Sequence, residues 1–172
     1  MTELPNAPSN SQEATRRVNA RFLRSYVSDH IAVAAGVGGL ARRMATAERW
    51  RAHRPVFEAL IGVLAEDERE LQEVLSRRGI RRVTLKALLA RPAELGGRLK
   101  VNGTIIKSSP LTPLVELDGL RLGLTACEVP WVALREVGVD PERAEAAADR
   151  LRAARESVER LVPLVAPTAF AD

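Results

Sequence analysis

Residues 22–44, FLRSYVSDHIAVAAGVGGLARRM, decide the fold class of this chain. The stretch has no proline, and its apolar side chains recur every three or four residues, which predicts a helix with one buried face. A polar pair, Asp29 and His30, interrupts the apolar stripe, and the small residues of 32–39 would let a second helix approach closely. The predicted stripe consists of Phe22, Tyr26, Val33, Val37, Leu40 and Met44.

The composition favours a helical protein with an aliphatic core. A chain of 172 residues is long enough for one domain with a real core, and aromatic residues make up only 3% of it. Alanine, leucine, arginine and glutamate, which favour helices, are abundant. Cys127 is the only cysteine, which excludes an internal disulfide and indicates a reducing cytoplasm. Residues 31–41 form the longest nearly uncharged run and are too short to span a membrane, and the first twelve residues do not resemble a signal peptide.

The first two helices are predicted from apolar periodicity and from start and stop signals. We expect the first helix from about residue 13 to 48, capped by Asn10 or Ser11. The second helix starts at Pro55, a residue suited to the first helical position, and runs to about residue 78. Gly79 then closes it with a left-handed residue.

The other two helices follow a long connection. The third helix begins near residues 109–113 and ends at about residue 137, with a kink where the ring of Pro130 meets the carbonyl of Ala126. The fourth helix begins at Asp140-Pro141-Glu142 and runs to about residue 162. We therefore predict one domain, 13–165, between disordered tails at 1–12 and 166–172.

Residues 80–109 connect the second helix to the third. Residues 84–90 could form a short helix, and Asn102-Gly103 fits a two-residue hairpin turn, but two strands here would be very short. We therefore predict an irregular crossover that packs Leu99, Val101, Ile105 and Ile106 over the bundle. Two antiparallel helical hairpins joined by one long crossover form the ferritin-like variant of the all-α four-helix bundle.

The motif YVSDH at residues 26–30, followed by an Ala/Gly-rich run up to Arg43, resembles a group of uncharacterised bacterial ferritin-like proteins. That group carries a similar Y-x-x-D-H motif on its first helix. The likeness extends to EDERE at 66–70, GRLKVNG at 97–103 and SPL at 109–111, and so covers about residues 20–137. The resemblance implies a ferritin-like four-helix fold, and no established activity comes with it.

Polar residues at mid-bundle form the first candidate site. Asp29-His30 and Asp67-Glu68 lie near the midpoints of two antiparallel helices, so we expect the two pairs to face each other. Carboxylate and imidazole groups are common ligands of divalent metals. An iron, manganese or zinc ion could therefore be held by Asp29, His30, Asp67 and Glu68, with Glu116 from the third helix.

A polar contact that fixes the register of the helices is the simpler interpretation. A di-iron site in this kind of bundle needs Glu-x-x-His on each of two helices, and the sequence has none. Asp29 and Asp67 could be exposed beside the stripe, or buried and paired with Arg69, Arg121 or Arg152. We therefore expect a diverged bundle with no catalytic residues and no cofactor, and keep metal binding as the alternative.

Arginine residues form the second candidate site. Residues 16–54 carry nine arginines and two acids, whereas residues 55–75 carry six acids and one arginine, a pattern that indicates complementary neighbouring helices. The start of the first helix and the end of the second share one end of the bundle. That end could bind an acidic protein or nucleic acid through Arg16, Arg17, Arg21, Arg24, Arg77, Arg78, Arg81, Arg82 and Lys86. No aromatic residue is predicted among them for base stacking, so a solvated surface is the alternative.

The remaining signals are weak. GVGGLA at 36–41 superficially resembles a dinucleotide-binding loop but has no preceding strand, so close helix packing explains it better. Small-residue faces of this kind could also support a homo-oligomer. Cys127 is expected to be a small buried residue rather than a nucleophile. Nothing in the sequence resembles a serine enzyme or a phosphate-binding loop.

Overall fold

A computed structural model describes residues 18–81 and 109–171 of the chain. All regular structure in these ranges is helical, which confirms the predicted all-α class for this part of the protein. A 3-10 helix, Glu48–His53, links the first two of five α-helices. The α-helices are α1, Ala20–Thr46; α2, Arg54–Arg77; α3, Thr112–Glu136; α4, Pro141–Glu159; and α5, Val162–Ala169.

The helix boundaries follow from local chemistry. The side chain of Asn19 accepts hydrogen bonds from the backbone N–H groups of Arg21 and Phe22, at 3.0 and 3.2 Å, and starts α1. The predicted start near residue 13 lies outside the described residues, and residues 18 and 19 are not helical. Gly79 and Gly138 take positive φ angles of 68° and 71° directly after α2 and α3, as glycine at a helix end should.

The start of α4 differs from the prediction in its cap. Pro141 is the first helical residue, as expected, but Asp140 is left-handed with φ 45° and its side chain makes no capping hydrogen bond. The carbonyl of Asp140 instead accepts the backbone N–H of Ala144 at 2.9 Å. Asp140 therefore closes a tight turn after Gly138 rather than capping the helix through its carboxylate.

The helices form a four-helix bundle in which each neighbouring pair is antiparallel. α1 packs against α2 and α3, while α4 packs against α3 and α2. Glu116 at the start of α3 contacts Arg49 in the 3-10 link, and Glu73 near the end of α2 contacts Arg143 at the start of α4. α2 and α3 therefore point the same way and lie diagonally opposite, so the end of α2 and the start of α3 are at opposite ends of the bundle.

The core is aliphatic and lies along the bundle axis, with Trp50, Phe57 and Trp131 as its aromatic members. The predicted stripes of α2, α3 and α4 are buried in large part, but the α1 prediction is wrong for Phe22 and Tyr26. Phe22 is 71% exposed and Tyr26 is 36% exposed. The residues of α1 that do face the core are Leu23, Val27, Ile31, Ala34, Val37, Ala41 and Met44. Alanines complete this buried stripe of α1. A prediction from the spacing of large apolar residues therefore chose Phe22 and Tyr26, which lie outside the core.

Glycines of α3, rather than those of α1, allow the closest helix approach. A Cβ on Gly123 would lie 2.5 Å from Cγ2 of Val37, and one on Gly119 would lie 3.2 Å from Cδ2 of Leu40. A Cβ on Gly36 or Gly39 would meet no atom within 4 Å in the described part of the chain. A second helix, α3, therefore does approach α1 closely. In this contact α1 contributes the side chains and α3 contributes the glycines.

The chain after α4 is helical as far as Ala169, beyond residue 165, where the sequence predicted a disordered tail to begin. Pro163 falls at the start of α5, where its missing N–H is tolerated, and the helix continues to Ala169 although Pro167 lies inside it. α5 packs on α3, which explains why the chain stays folded beyond the predicted boundary at 165. Among the described residues, no helix is both long and apolar enough to cross a membrane.

Candidate functional sites: a buried carboxylate and an arginine pole

Asp67 is the one charged residue of the described core that is completely buried. It lies in the middle of α2 with 0% of its surface exposed, at the polar gap that the sequence shows between Leu64 and Leu71. Nε1 of Trp131 on α3 donates a hydrogen bond to its Oδ1 atom at 2.6 Å. Its Oδ2 atom has no hydrogen-bond partner among the described residues. One buried hydrogen bond thus joins two helices that lie diagonally across the bundle.

Burial controls the ionisation of this site. It raises the pKa of Asp67 to about 7, although the hydrogen bond from Trp131 and the charge of Arg150 act in the opposite direction. Cys127, one helical turn before Trp131, is buried and free. Its burial, reinforced by the negative charge of Asp67, raises the pKa of its thiol. Cys127 is therefore a protonated core residue, as expected, and not a nucleophile.

His30 lies at a hydrogen-bonding gap that Pro130 creates in α3. Proline has no N–H to donate to the carbonyl four residues earlier, so the carbonyl of Ala126 lacks its helical partner. The ring of His30 on α1 lies near that carbonyl, which raises the pKa of the ring, while its Nδ1 atom is buried without a hydrogen-bond partner among the described residues. Burial lowers the pKa of His30, and the Ala126 carbonyl and the charge of Asp29 oppose this effect. A neutral, structural histidine accounts for these contacts.

The predicted metal ligands are not gathered at one point. Glu116 lies at the end of the bundle, where it accepts hydrogen bonds at 2.7 Å from both Arg49 and Nε1 of Trp50. Glu68 is half-buried beside Asp67, and Asp29 is half-buried on α1 beside His30. Within residues 18–81 and 109–171, no three His, Cys, Asp or Glu side chains are arranged to hold a metal ion. Metal binding stays a prediction.

The arginines that were expected to pair with Asp67 have other partners. Arg69 pairs with Glu66 and Glu73, Arg121 pairs with Asp118, and Arg152 pairs with Glu128 and Asp149. Most of these ion pairs join residues of the same helix or lie between the surfaces of two helices. A partner for a buried carboxylate must itself reach the core, and the indole of Trp131 does so without bringing a second charge into it.

Ion pairs do join neighbouring helices, but in the described residues they link the fourth helix to the second and third, and not the first helix to the second as the charge pattern indicated. Glu73 and Glu70 of α2 pair with Arg143 and Arg150 of α4, and Glu128 of α3 pairs with Arg152. The arginines of the described residues that form ion pairs are Arg49, Arg51, Arg69, Arg121, Arg135, Arg143, Arg150, Arg152 and Arg155.

A second group of arginines stays unpaired at one end of the bundle. We call this group the arginine pole; it comprises Arg21, Arg24, Arg77, Arg78 and Arg81, from the start of α1 and the end of α2. All five are exposed, and none lies within ion-pair distance of a carboxylate in the described part of the chain. Arg16, Arg17, Arg82 and Lys86 were also predicted here and lie outside the described residues. The structure therefore brings the described members of the predicted arginine cluster to the same end of the bundle.

The exposed aromatic residues of this end were missed by the sequence analysis. Phe22 follows Arg21 directly, and Tyr26 lies one turn further along α1. The ring of Tyr26 makes an edge-to-face contact with that of His30, with 4.6 Å between ring centroids. The sequence did contain a signal for the exposure of these rings, because a second apolar stripe runs through Leu23 and Val27. When that stripe is buried, both aromatic rings lie outside the core.

The groove between α2 and α4 offers little for catalysis. It measures about 270 Å³ and is lined by apolar side chains such as Leu60, Val63 and Ala154. Its single charged residue, Arg150, already pairs with Glu70. This groove therefore contains no acid–base pair that could act on a substrate.

No family model matches the chain, and no curated protein or solved structure matches it either. The ferritin-like group is therefore a resemblance carried by the sequence motifs alone.

Proposed function

We propose that this protein is a diverged ferritin-like four-helix bundle of the cytoplasm, without enzymatic turnover, whose arginine pole binds a polyanionic partner. The observation that carries the proposal is the convergence of five exposed arginines, from the start of α1 and the end of α2, at one end of the bundle. Outside the pole, nine described arginines form ion pairs with carboxylates, whereas Arg42, Arg43, Arg54 and Arg160 do not and are spread over three elements. The five arginines of the pole come from the first two helices and the turn after α2 and form no ion pair with another described residue, so their guanidinium groups are available for phosphates or carboxylates of another molecule.

The ferritin-like assignment is supported by the course of the chain. α2 and α3 point in the same direction, so their connection has to pass from one end of the bundle to the other. One such crossover between two antiparallel hairpins is the feature that separates ferritin-like bundles from up-and-down bundles. The Y-x-x-D-H motif at residues 26–30 adds to this assignment.

In the proposed function, the polar residues at mid-bundle have a structural role. Asp67 is bonded to Trp131, and His30 lies near the carbonyl that Pro130 leaves free. A residual metal at Asp29, His30 and Asp67 is tested by plasma mass spectrometry of the purified protein beside a His30→Ala variant. Stoichiometric iron, manganese or zinc that disappears in the variant would establish a metal site and overturn the structural assignment.

Polyanion binding is tested with two variants that remove the same charge from opposite ends of α1 and α2. Arg77→Gln/Arg78→Gln removes two guanidinium groups from the pole, and Arg42→Gln/Arg43→Gln removes two exposed ones from the far end of α1. The probes are fluorescent 20-nucleotide DNA, single-stranded and duplex, and fluorescent polyglutamate, titrated at several salt concentrations. The readout is fluorescence anisotropy.

We expect the wild-type protein to bind at least one probe with an affinity that falls steeply with salt, because phosphate and carboxylate contacts release bound ions. The pole variant should bind at least tenfold more weakly, with a slope against salt that is smaller by about 1.5 for a nucleic acid probe. The far-end variant should bind as the wild type does. Equal losses in both variants would mean that net charge, not the pole, drives binding and would contradict the proposal.

A further inference from the structure

The outer side of α3 carries a row of apolar side chains that the described part of the chain leaves exposed. Val115, Leu122 and Val129 are 38%, 72% and 48% exposed, and each is seven residues, or almost two helical turns, from the next. A depression of about 410 Å³ beside Val129, lined also by Val132 and Ala133, widens the row towards the end of α3. A continuous apolar row of this kind indicates a contact surface.

The row of α3 borders a second apolar row on α1. Leu40 of α1 packs against Gly119 of α3. Tyr26 and Phe22 lie on the same side of α1 as Leu40, because all three are separated by whole multiples of about one or two turns. Phe22 is 71% exposed and Tyr26 is 36% exposed, so this side of α1 is apolar but uncovered towards the start of the helix.

The two rows form the walls of one groove because α1 and α3 are antiparallel neighbours. The groove runs from the end of the bundle that carries the arginine pole to the opposite end. We call it the α1–α3 groove and define it by Phe22, Tyr26, Leu40, Val115, Leu122 and Val129.

The connection between α2 and α3 has to run along one side of the bundle. Arg81 follows α2 at the end that carries the arginine pole, and Ser109 precedes α3 at the opposite end. The 25 residues of α3 make the bundle about 38 Å long, and the 27 residues 82–108 cover about 40 Å even at the rise of a helix. Because α2 and α3 lie diagonally opposite, this segment passes either outside α1 or outside α4.

The composition of residues 82–108 favours the route outside α1. The segment contains nine Val, Leu or Ile residues and six basic residues against one acid. The outer side of α4 offers exposed acids, Glu142, Glu145, Asp149 and Glu156, with which the basic residues could pair. Exposed ion pairs contribute little, whereas burial of large apolar side chains contributes more, so the apolar residues decide.

The groove between α2 and α4 lies on the other route and is a weaker match. It is apolar, but no large apolar side chain among its lining residues is exposed. A segment lying there would bury little apolar area beyond what the described helices already bury. The α1–α3 groove, with Phe22 and Leu122 both more than 70% exposed, has far more to gain from a cover.

We propose that residues 82–108 dock in the α1–α3 groove and cover Leu122, Val129, Phe22 and Tyr26 with their apolar side chains. The inference is independent of the polyanion-binding function proposed above. It explains why α1 has two apolar stripes, since one faces the core and the other faces the connection between the hairpins. The groove is then an internal contact of this chain and is closed to other proteins.

Photo-crosslinking of the full chain identifies what occupies the groove. One protein carries p-benzoylphenylalanine in place of Leu122, and a matched control carries it in place of Ala153, an exposed residue that lines the groove between α2 and α4. The benzophenone inserts into C–H bonds of the groups it contacts. Denaturing electrophoresis gives the mass of the product, and peptide mass spectrometry gives the linked residues.

We expect the probe at position 122 to link to peptides of 82–108 in a product with the mass of one chain. The probe at position 153 should give at least tenfold less of that link. A product with the mass of two chains would overturn the proposal and would identify a second copy as the occupant. A link from position 153, with none from position 122, would also overturn it and would place the connection outside α4.

A substitution at Leu122 provides a second readout. Glutamine has nearly the helix propensity of leucine, so Leu122→Gln changes little at a position that stays in solvent. If residues 82–108 cover Leu122, the variant should raise the unfolding equilibrium constant in urea about tenfold, independently of protein concentration. Trypsin, which can cut at Arg98 and Lys100, should cleave the segment several times faster under native conditions.

Leu164→Gln is the matched control, because Leu164 is 59% exposed on α5, away from the groove. It should leave both stability and the rate of cleavage in 82–108 as in the wild type. Circular dichroism verifies that both variants remain helical. Wild-type stability and wild-type cleavage in Leu122→Gln would overturn the proposal, as would a loss of stability that disappears at high protein concentration.

Discussion

At the scale of single residues, the described core contains one fully buried carboxyl group, and its protonation is coupled to folding. Asp67 is sealed in the centre of the bundle and has one hydrogen bond, from Trp131, for two carboxylate oxygens. Burial disfavours the charged form, so its pKa is raised from 3.8 to about 7. The same residue that is hydrogen-bonded across the bundle to Trp131 therefore weakens the fold whenever it is charged.

The stability of the protein should fall as the pH rises from about 4 to about 7. In that window the unfolded chain releases the proton of Asp67 while the folded protein retains it, so the native state binds more protons and loses stability with increasing pH. From pH 5 to pH 8 this loss is on the order of 3 kcal/mol. Asp67→Asn keeps an oxygen for Trp131 and removes the titration, so its unfolding free energy should depend less on pH.

Urea unfolding of both proteins at pH 5 and pH 8 measures this effect. Glu68→Gln is the matched control, because it alters the neighbouring, half-buried carboxylate and should keep the wild-type dependence on pH. Parallel curves for wild type and Asp67→Asn would show that Asp67 is charged at no extra cost and would refute the assignment.

At the scale of the elements, the contact between α1 and α3 depends on the absence of two side chains. Gly119 and Gly123 of α3 receive Leu40 and Val37 of α1, and so let the two helices pack closely. The glycines of α1 have no such neighbour in the described residues. Glycine lowers helix stability relative to alanine. Close packing requires glycine in α3 only, so only there does packing offset this loss of helix stability.

Alanine substitutions in these two helices should therefore have opposite signs. Gly123→Ala places a methyl group against Val37 and should destabilise the protein by about 1–3 kcal/mol. Gly36→Ala, at an exposed position in the middle of α1, should stabilise it by about 0.5–1 kcal/mol through helix propensity. Thermal and urea unfolding provide both values.

A double variant tests the cause. Val37→Ala removes the methyl groups that clash, so Gly123→Ala should cost less in that background than in the wild type. Additive costs would mean that Val37 and position 123 do not meet and would contradict the close packing of α1 on α3.

At the scale of the whole molecule, hydrogen bonds from two tryptophans help to tie the first helical hairpin to the second. The bond between Trp131 and Asp67 joins them in the middle of the bundle, and Glu116 joins them at the end opposite the arginine pole. There Glu116 accepts hydrogen bonds from the buried indole of Trp50 and from Arg49, both of the link between α1 and α2. The two hairpins are thereby held in one orientation.

Loss of the Glu116 contact should cost about 2 kcal/mol, because the indole N–H of Trp50 would stay buried without an acceptor. Glu116→Ala measures this loss in urea. Asp118→Ala is the control, since Asp118 makes a surface ion pair with Arg121 and its removal should cost less than about 1 kcal/mol. Equal costs for the two variants would show that Glu116 acts only through surface charge.

Most of the architecture could be predicted from the sequence because helices are encoded by local signals. Pro55 and Pro141 mark helix starts, Gly79 and Gly138 mark ends, and the spacing of leucines in α2 and α3 indicates the buried faces. Burial of Asp67 could be suspected from the polar gap in the stripe of α2. The free carbonyl of Ala126 could be predicted from Pro130, although the approach of His30 to it could not.

The sequence by itself determined the helices and the clustering of arginines at one end, since antiparallel helices joined by a short link must share their ends. Only the tertiary structure decided which side of α1 is buried, because alanines complete one apolar stripe and bulky residues complete another. That choice exposes Phe22 and Tyr26 to solvent. The tertiary structure also decided that Trp131 is the partner of Asp67. Contacts across a core depend on where diagonal helices meet, and the local spacing of residues does not encode that.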